Sequence, residues 1–313
     1  MSESSRVWRK SSHLRVYIGT CWRKVTLAPS QIHHQSNLRK GWRFATPEEN
    51  IPGENVTPDP VHESSKFTHL RDIYFSVEPD FDGRFTVPTL YDKKQNKIVN
   101  NESSEIIRMF YTAFDDLLPS KYASVDLFPK SLQKDIEETN EWTYNDINNG
   151  VYKSGFATSQ EAYEKAVLQL FKSLDRVEAH LSSSPGPYYF GDQITEADVR
   201  LYTTIIRFDA VYVQHFKTNL RDIRSGYPAI HKWVRKLYWD EGAFGETTQF
   251  EHIKKHYTKS HRQINPYVST DFIRCMCKRL LTNLFRASRP LVRCRISCPR
   301  TRRLRLSRLL SRK

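Results

Sequence analysis

The run from Gly83 to Phe110, GRFTVPTLYDKKQNKIVNNESSEIIRMF, constrains the fold more than any other part of the chain, because it sets a proline where a strand would run. Proline has no backbone N–H to give to a sheet, so Pro88 requires an edge, a bulge or a cis bond that turns the backbone of Val87 outward. The pattern predicts a strand ending at Val87-Pro88, a polar reversal through Lys93, Lys94 and Asn96, and a second strand over Lys97 to Asn100. Glu102 and Ser103 then open a helix. Each piece has an ordinary explanation, since Val-Pro is a common edge device and Glu-Ser a common helix start. Taken in this order they build a corner. An outward Val87 can pair with an extended peptide by strand addition, the helix N-terminus attracts a carboxylate, and Glu102 attracts an ammonium. The end of an α-amino acid carries both charges.

A chain of 313 residues is long enough for two modest domains, and none of its apolar runs approaches the ~20 residues of a membrane helix, which predicts a soluble protein. The net charge of +14 invites nucleic-acid binding. However, 14 of the 49 Lys and Arg residues, and no acidic residue, lie between Phe272 and Lys313; the remaining 35 balance the 35 Asp and Glu. The tail alone carries the excess, so nucleic acid is disfavoured as a partner of the body. Cysteine is skewed in the same direction, with Cys275, Cys277, Cys294 and Cys298 in the tail and only Cys21 elsewhere. That excludes a disulfide framework in the body and fits a reducing, cytoplasmic setting. The tail pairs lack zinc-ligand spacing, so no metal is expected.

Residues 1–40 are basic and Ser-rich, with Glu3 the sole carboxylate, a composition compatible with a mitochondrial transit peptide although no amphipathic helix is evident. His13 to Gly19 alternates well enough for a short strand. Past Gly41, helices are expected over Phe67 to Phe75, Glu102 to Leu118, Ser131 to Asn148 and from a capping box at Thr158-Ser-Gln-Glu161, whose helix buries Tyr163, Val167, Leu170, Leu174, Val177 and Leu181. A second box, Thr195-Glu-Ala-Asp198, opens a further helix, and Pro228 to Trp239 gives a last clear one. The tail is a solvated arm, or one suited to nucleic acid or an anionic membrane.

The corner at Val87 and Glu102 resembles the glutathione-binding half of the thioredoxin-like domain of glutathione transferases. The words FTVP and NNESSEI, with Gly41-Trp-Arg-Phe44, Asn149-Gly-Val-Tyr-Lys-Ser-Gly-Phe156, Thr195-Glu-Ala-Asp198, Arg207-Phe-Asp-Ala-Val-Tyr212 and His252-Ile-Lys-Lys-His-Tyr257, resemble the xi-class or omega-like glutathionyl-hydroquinone reductases, in the same order. The resemblance covers roughly residues 41–266. It implies an α/β thioredoxin-like domain over 41–118 with an incomplete start, an all-α transferase domain over 119–266, an atypical segment over 1–40 and a basic tail over 267–313. Such proteins usually end near a segment like Tyr257 to Pro266, so the tail also reads as the product of a shifted frame or retained intron.

The resemblance further implies glutathione as cosubstrate, glutathionyl-hydroquinones as substrates, thiol transfer as a related activity and a homodimer as assembly. Trp42 would stack on glutathione, Arg84 would stand at the strand start, the Val87 backbone would hold the cysteinyl portion, and Glu102 and Ser103 the γ-glutamyl end. Tyr152 would donate or accept the proton of the aromatic ring, with Tyr212 and Tyr257 tuning it and basic Lys255 and His256 favouring phenolate. The family's nucleophile sits in a Cys-Pro-Trp-Ala loop, which occurs nowhere in this sequence. Cys21, followed by Trp22 but no proline, is the one candidate, as nucleophile or as incidental thiol. Between it and Gly41 lie 19 residues, too few for a helix, a turn and a second strand, which need roughly 30. The alternative is a catalytically impaired glutathione- or phenol-binding protein, or a damaged gene model, that keeps the pocket without the nucleophile.

Overall fold

The computed structural model describes residues 14–17, 67–117, 120, 124–261 and 263–265. Its first part is a three-stranded sheet of β1 (Leu14–Tyr17), β2 (Thr89–Asp92) and β3 (Lys97–Asn100), in the order β1-β2-β3 with both pairings antiparallel. The expected strand before Gly41 is therefore present and pairs with the strand that follows Pro88. The Val-Pro strand itself is corrected, because β2 starts at Thr89, after the proline, where every residue has an N–H to offer the ladder. The reversal falls where the sequence predicts it. Asp92 Oδ1 accepts from the N–H groups of Lys94 at 2.8 Å and Gln95 at 3.0 Å, and Asn96 takes the left-handed conformation (φ 53°) that asparagine tolerates.

Two helices flank the strands. Helix α1 (Leu70–Val77) begins three residues later than expected and buries Leu70, Ile73 and Tyr74. Asp72 Oδ2 accepts from the backbone of Thr68 and His69 at 2.9 and 2.8 Å, which fixes the N-terminus there and leaves Phe67 outside it. Helix α2 (Ser103–Thr112) buries Ile106 and is shorter than the Glu102 to Leu118 reading, giving way to a 3-10 turn at Asp115–Leu117.

The rest is helical. A 3-10 turn (Lys130–Leu132) leads into α3 (Gln133–Thr143), a π-helical turn (Tyr144–Asn148) and α4 (Gly150–Gly155). The single helix expected over Ser131 to Asn148 is thus broken by a wide turn, in which the Asn149 N–H bonds to the Tyr144 carbonyl five residues back at 2.8 Å. Helix α5 (Gln160–Ser183) is capped by Ser159, whose Oγ accepts from the Ala162 N–H at 3.2 Å, so the cap is Ser159 rather than Thr158. Its expected face holds, with Val167, Leu170, Leu174 and Val177 buried and Tyr163 and Leu181 packed at the margin.

Helix α6 (Glu196–Arg207) starts with the Thr195/Asp198 capping box and runs into a second π-helical turn (Phe208–Tyr212) and a short α7 (Val213–His215). Asp198 also accepts from Trp233 Nε1 and the Tyr189 N–H, each at 2.8 Å, binding α6 to its neighbours. Helices α8 (Ile223–Gly226), α9 (Pro228–Asp240), α10 (Gly242–Thr247) and α11 (Phe250–Ser260) follow. Pro228 to Trp239 is not the last helix, because Phe250, Ile253 and Tyr257 repeat at helical spacing and bury beyond it. One apolar cluster joins α4, α5, α6, α9 and α11; a smaller one lies under the sheet around Tyr74 and Tyr91.

Candidate functional site

The first half of the site is a bend held by side chains. Val87 and Pro88 are joined by a cis peptide bond, one of the three arrangements the sequence allows. Asn101 Nδ2 lies 2.8 Å from Thr86 Oγ1, 3.0 Å from the Tyr74 hydroxyl and 3.1 Å from the Pro88 carbonyl. Tyr74 donates in turn to the Thr86 carbonyl at 2.8 Å and meets Thr89 Oγ1 at 3.0 Å. This network sets half-buried Val87 beside the N-terminus of α2, where exposed Glu102 is the N-cap and exposed Ser103 the first helical residue. The Glu102 side chain does not cap the helix, so the N–H groups of the first turn are open to an anion. Arg84 is exposed in the irregular segment before β2, not at a strand start, and takes no part in the network. Cys21 and Trp42 lie outside the described residues, as do the other four cysteines.

The second half brings together three residues far apart in sequence. The Tyr257 hydroxyl lies 2.6 Å from that of Tyr152 and 2.9 Å from that of Tyr212. Tyr152 is half-buried on α4, Tyr212 is buried in the second π-helical turn, and Tyr257 is buried on α11. The three phenols thus form a chain from the edge of the helical core to its interior. Phe216 stacks on Tyr212, with centroids 5.4 Å apart and planes 5° from parallel, and lies 5.1 Å from Tyr152. It fits there because residue 155 is glycine, where a Cβ would stand 2.0 Å from Phe216 Cδ1.

Burial governs the electrostatics. It pushes the phenols of Tyr257 and Tyr212 well above the ordinary tyrosine value, reinforced at Tyr257 by Tyr152 and at Tyr212 by Tyr257 and Tyr152, and only partly opposed by Arg207 and, at Tyr257, by the hydrogen bond to Tyr212. His256 is pushed down to about 4 by burial and by the fields of His261, Arg207 and His215, and is neutral at physiological pH. The expectation that His256 draws Tyr257 toward phenolate is therefore corrected: a neutral imidazole supplies no charge, and desolvation holds the proton on the phenol. The Lys255 side chain lies outside the described residues.

The sequence reading missed Asn101 and Tyr74 at the bend and His215, Phe216 and His261 around the phenols. For the histidines a signal existed, since His215 stands three residues after Tyr212 and His261 four after Tyr257, the spacing that aligns side chains on one helical face. Asn101 carried no comparable mark.

A family model described as the glutathione S-transferase C-terminal domain matches residues 160–236. The chain is 50% identical over 260 residues to glutathione S-transferase omega-like 2 of Schizosaccharomyces pombe, covering 81% of this chain and 82% of that protein. It is 46% identical over 229 residues to the glutathionyl-hydroquinone reductase YqjG of Escherichia coli, covering 73% of this chain and 65% of that one. The solved structure of the Xi glutathione transferase ECM4 from Saccharomyces cerevisiae in complex with glutathione superimposes with a TM-score of 0.67 at 42% identity, over 75% of this chain and 81% of that one. These likenesses fit a thioredoxin-like α/β part followed by an all-α part, and the chain belongs to the glutathione transferase superfamily, in the xi and omega-like branch to which glutathionyl-hydroquinone reductases belong.

Proposed function

We propose that this chain binds glutathione at the corner of Val87, Glu102 and Ser103 and acts on glutathionylated aromatic rings, as a glutathionyl-hydroquinone reductase does. The observation that carries the reading is the hydroxyl chain from Tyr152 through Tyr257 to Tyr212. Removing sulfur from an aromatic ring requires a proton on the carbon that bears it. The ring becomes a ketone tautomer; a thiolate then attacks the sulfur, the carbon–sulfur bond breaks, and its electron pair returns the ring oxygen to a phenolate. A disulfide and a hydroquinone result. Tyr257 and Tyr212 keep their protons, so the three hydroxyls offer a relay of neutral phenols, and the proton exchanged with a bound ring passes through the Tyr152 hydroxyl.

In this reading Glu102 and the first turn of α2 hold the γ-glutamyl end, the Val87 backbone the cysteinyl portion, and Trp42 and Arg84 flank them. The division falls near residue 118, between the sheet with its two helices and the helical core. The attacking thiolate is Cys21 or a second glutathione. Turnover of a glutathionyl-hydroquinone by the purified chain tests the proposal: Tyr152→Phe should lower kcat by 10²-fold or more, the ordinary range for a lost proton-transfer group being roughly 10²–10⁴. Loss of turnover in Cys21→Ser assigns the thiolate to Cys21, and unchanged turnover assigns it to glutathione.

One observation favours a second reading. The sequence has no Cys-Pro-Trp-Ala loop, while the corner and the tyrosine chain are both in place. A protein that binds glutathione and phenols without turning them over fits that pattern, and saturable binding by calorimetry with zero turnover would select it.

A further inference from the structure

The segment after α6 is joined to helix α11 and to its C-terminal cap, His261, by two hydrogen bonds in register. Tyr212 meets Tyr257 at 2.9 Å, and His215 Nε2 lies 2.9 Å from His261 Nδ1. The histidines stand about one helical turn beyond the tyrosines on each segment, so the two contacts form successive rungs of one ladder. Phe216 fills the gap, stacking on Tyr212 at 5.4 Å and on His261 at 5.8 Å. Both imidazoles also meet the Tyr257 ring nearly edge to face, His215 at 6.0 Å and His261 at 5.6 Å. From this geometry we infer that His215 and His261 are positioning residues of the tyrosine chain: their bond fixes the rotation and depth of α11 and thereby holds the Tyr257 hydroxyl between those of Tyr152 and Tyr212.

Two imidazoles suit the task. One ring nitrogen donates and the other accepts, an arrangement available to a neutral pair and to a singly protonated pair. A second proton would place an N–H on both facing nitrogens and break the contact. Burial opposes that charge, holding His215 down to about 4, with His261 contributing, and lowering His261 as well. Around the pair stand His256, neutral at the same pH, the phenols of Tyr152, Tyr212 and Tyr257, and the guanidinium of Arg207, whose field reaches Tyr257 and His256. Among the described residues no group of three or more His, Cys, Asp and Glu is placed to hold a metal ion.

The inference rests on the function proposed for the tyrosines and adds two residues to it. Its test compares His215→Phe and His261→Phe with His215→Gln and His261→Asn, whose amides keep a polar atom near the lost ring nitrogen. The ionisation of Tyr257 is read as the difference in alkaline tyrosinate absorbance between each protein and the same protein carrying Tyr257→Phe, beside the Tm and the kcat and KM for a glutathionyl-hydroquinone. In the parent, Tyr257 should resist titration until the fold opens. The Phe variants should let it titrate at least one pH unit earlier with kcat down about 10-fold and KM little changed, a loss equal to about 1.4 kcal/mol, and the amide variants should restore the parent curve.

Phe variants that titrate like the parent, or amide variants that titrate like the Phe variants at parental Tm, overturn the inference. Should the Phe variants fail to fold, His215→Asn, too short to reach His261, replaces them in the comparison with His215→Gln, with the same outcomes deciding. A parent without turnover counts against the proposed reaction, whereas the titration decides the positioning role by itself.

Discussion

The hydroxyl of Tyr257 lies 2.6 Å from that of Tyr152, a residue 105 positions earlier in the chain. Tyr257 is the middle member of the chain, so its loss strands both ends. Tyr257→Phe leaves the buried Tyr212 hydroxyl without its partner, which should cost about 1–3 kcal/mol in urea denaturation, the range for an unsatisfied buried polar group. Tyr152→Phe should cost less, because Tyr152 is half-buried. The double variant Tyr212→Phe/Tyr257→Phe removes both partners of one bond and should cost less than the sum of its single changes.

Asn101 braces the corner proposed to hold glutathione without belonging to the ligand contacts proposed there. Its amide joins Thr86, Pro88 and Tyr74 to the residue before Glu102, so Asn101→Ala releases the bend from the helix start. The amide has two protons to donate, so at roughly 0.5–1.5 kcal/mol for each hydrogen bond stability should fall by about 1–3 kcal/mol. The Kd for glutathione, measured by calorimetry, should rise about 10-fold. An unchanged Kd would show that the corner keeps its shape without the amide.

Some of this architecture was legible because it follows simple periods. The apolar face of α5 at Val167, Leu170, Leu174 and Val177 repeats at helical spacing, and the β2–β3 reversal carries its turn residues in order. The two π-helical turns were not legible, since a reading at 3.6 residues per turn has no place for the extra residue at Tyr144–Asn148 or Phe208–Tyr212. The convergence of Tyr152, Tyr212 and Tyr257 was accessible only through resemblance, because contacts between residues tens of positions apart leave no local pattern. The role of Asn101 was hidden for another reason: an asparagine before a helix is common, and only the fold shows that four neighbouring oxygens converge on it.

Glu196 binds α2 to the helical core. Its fully buried carboxylate accepts from Arg108 Nε at 3.3 Å and the Tyr111 hydroxyl at 3.2 Å, both on α2. It also accepts from Asn140 Nδ2 at 3.0 Å on α3 and from Arg200 Nη1 at 3.2 Å on α6. Glu196→Ala leaves these donors facing one another, and breaking a buried ion pair from one side costs about 3–5 kcal/mol. The lower end applies, because Arg108 is 39% exposed and can turn to water. Urea denaturation should show about 3 kcal/mol lost. Glu196→Gln should fall between parent and Ala, since an amide keeps one acceptor but brings an NH₂ group against the remaining donors.

Asp209 gives the pH dependence a sign. Its carboxylate accepts from the N–H groups of Ile223 at 2.7 Å and Arg224 at 3.1 Å at the start of α8, yet burial outweighs these bonds and raises its pKa from 3.8 to about 6. The folded protein thus holds this proton more tightly than the unfolded chain does. The resulting stability is fully present below pH 4 and is lost as the pH rises through 6, a change of about 3 kcal/mol given roughly 1.4 kcal/mol for each tenfold difference in proton affinity. His215, His256 and His261 act oppositely, because their lowered values make the folded state the weaker proton binder and reduce stability as the pH falls through their ordinary range. The whole-protein curve mixes the two effects, so the test is a difference. Asp209→Asn, which keeps one acceptor oxygen and cannot ionise, should be less stable than the parent near pH 4, and the gap should narrow steadily toward pH 7. A gap independent of pH across that range would show that Asp209 titrates at its ordinary value.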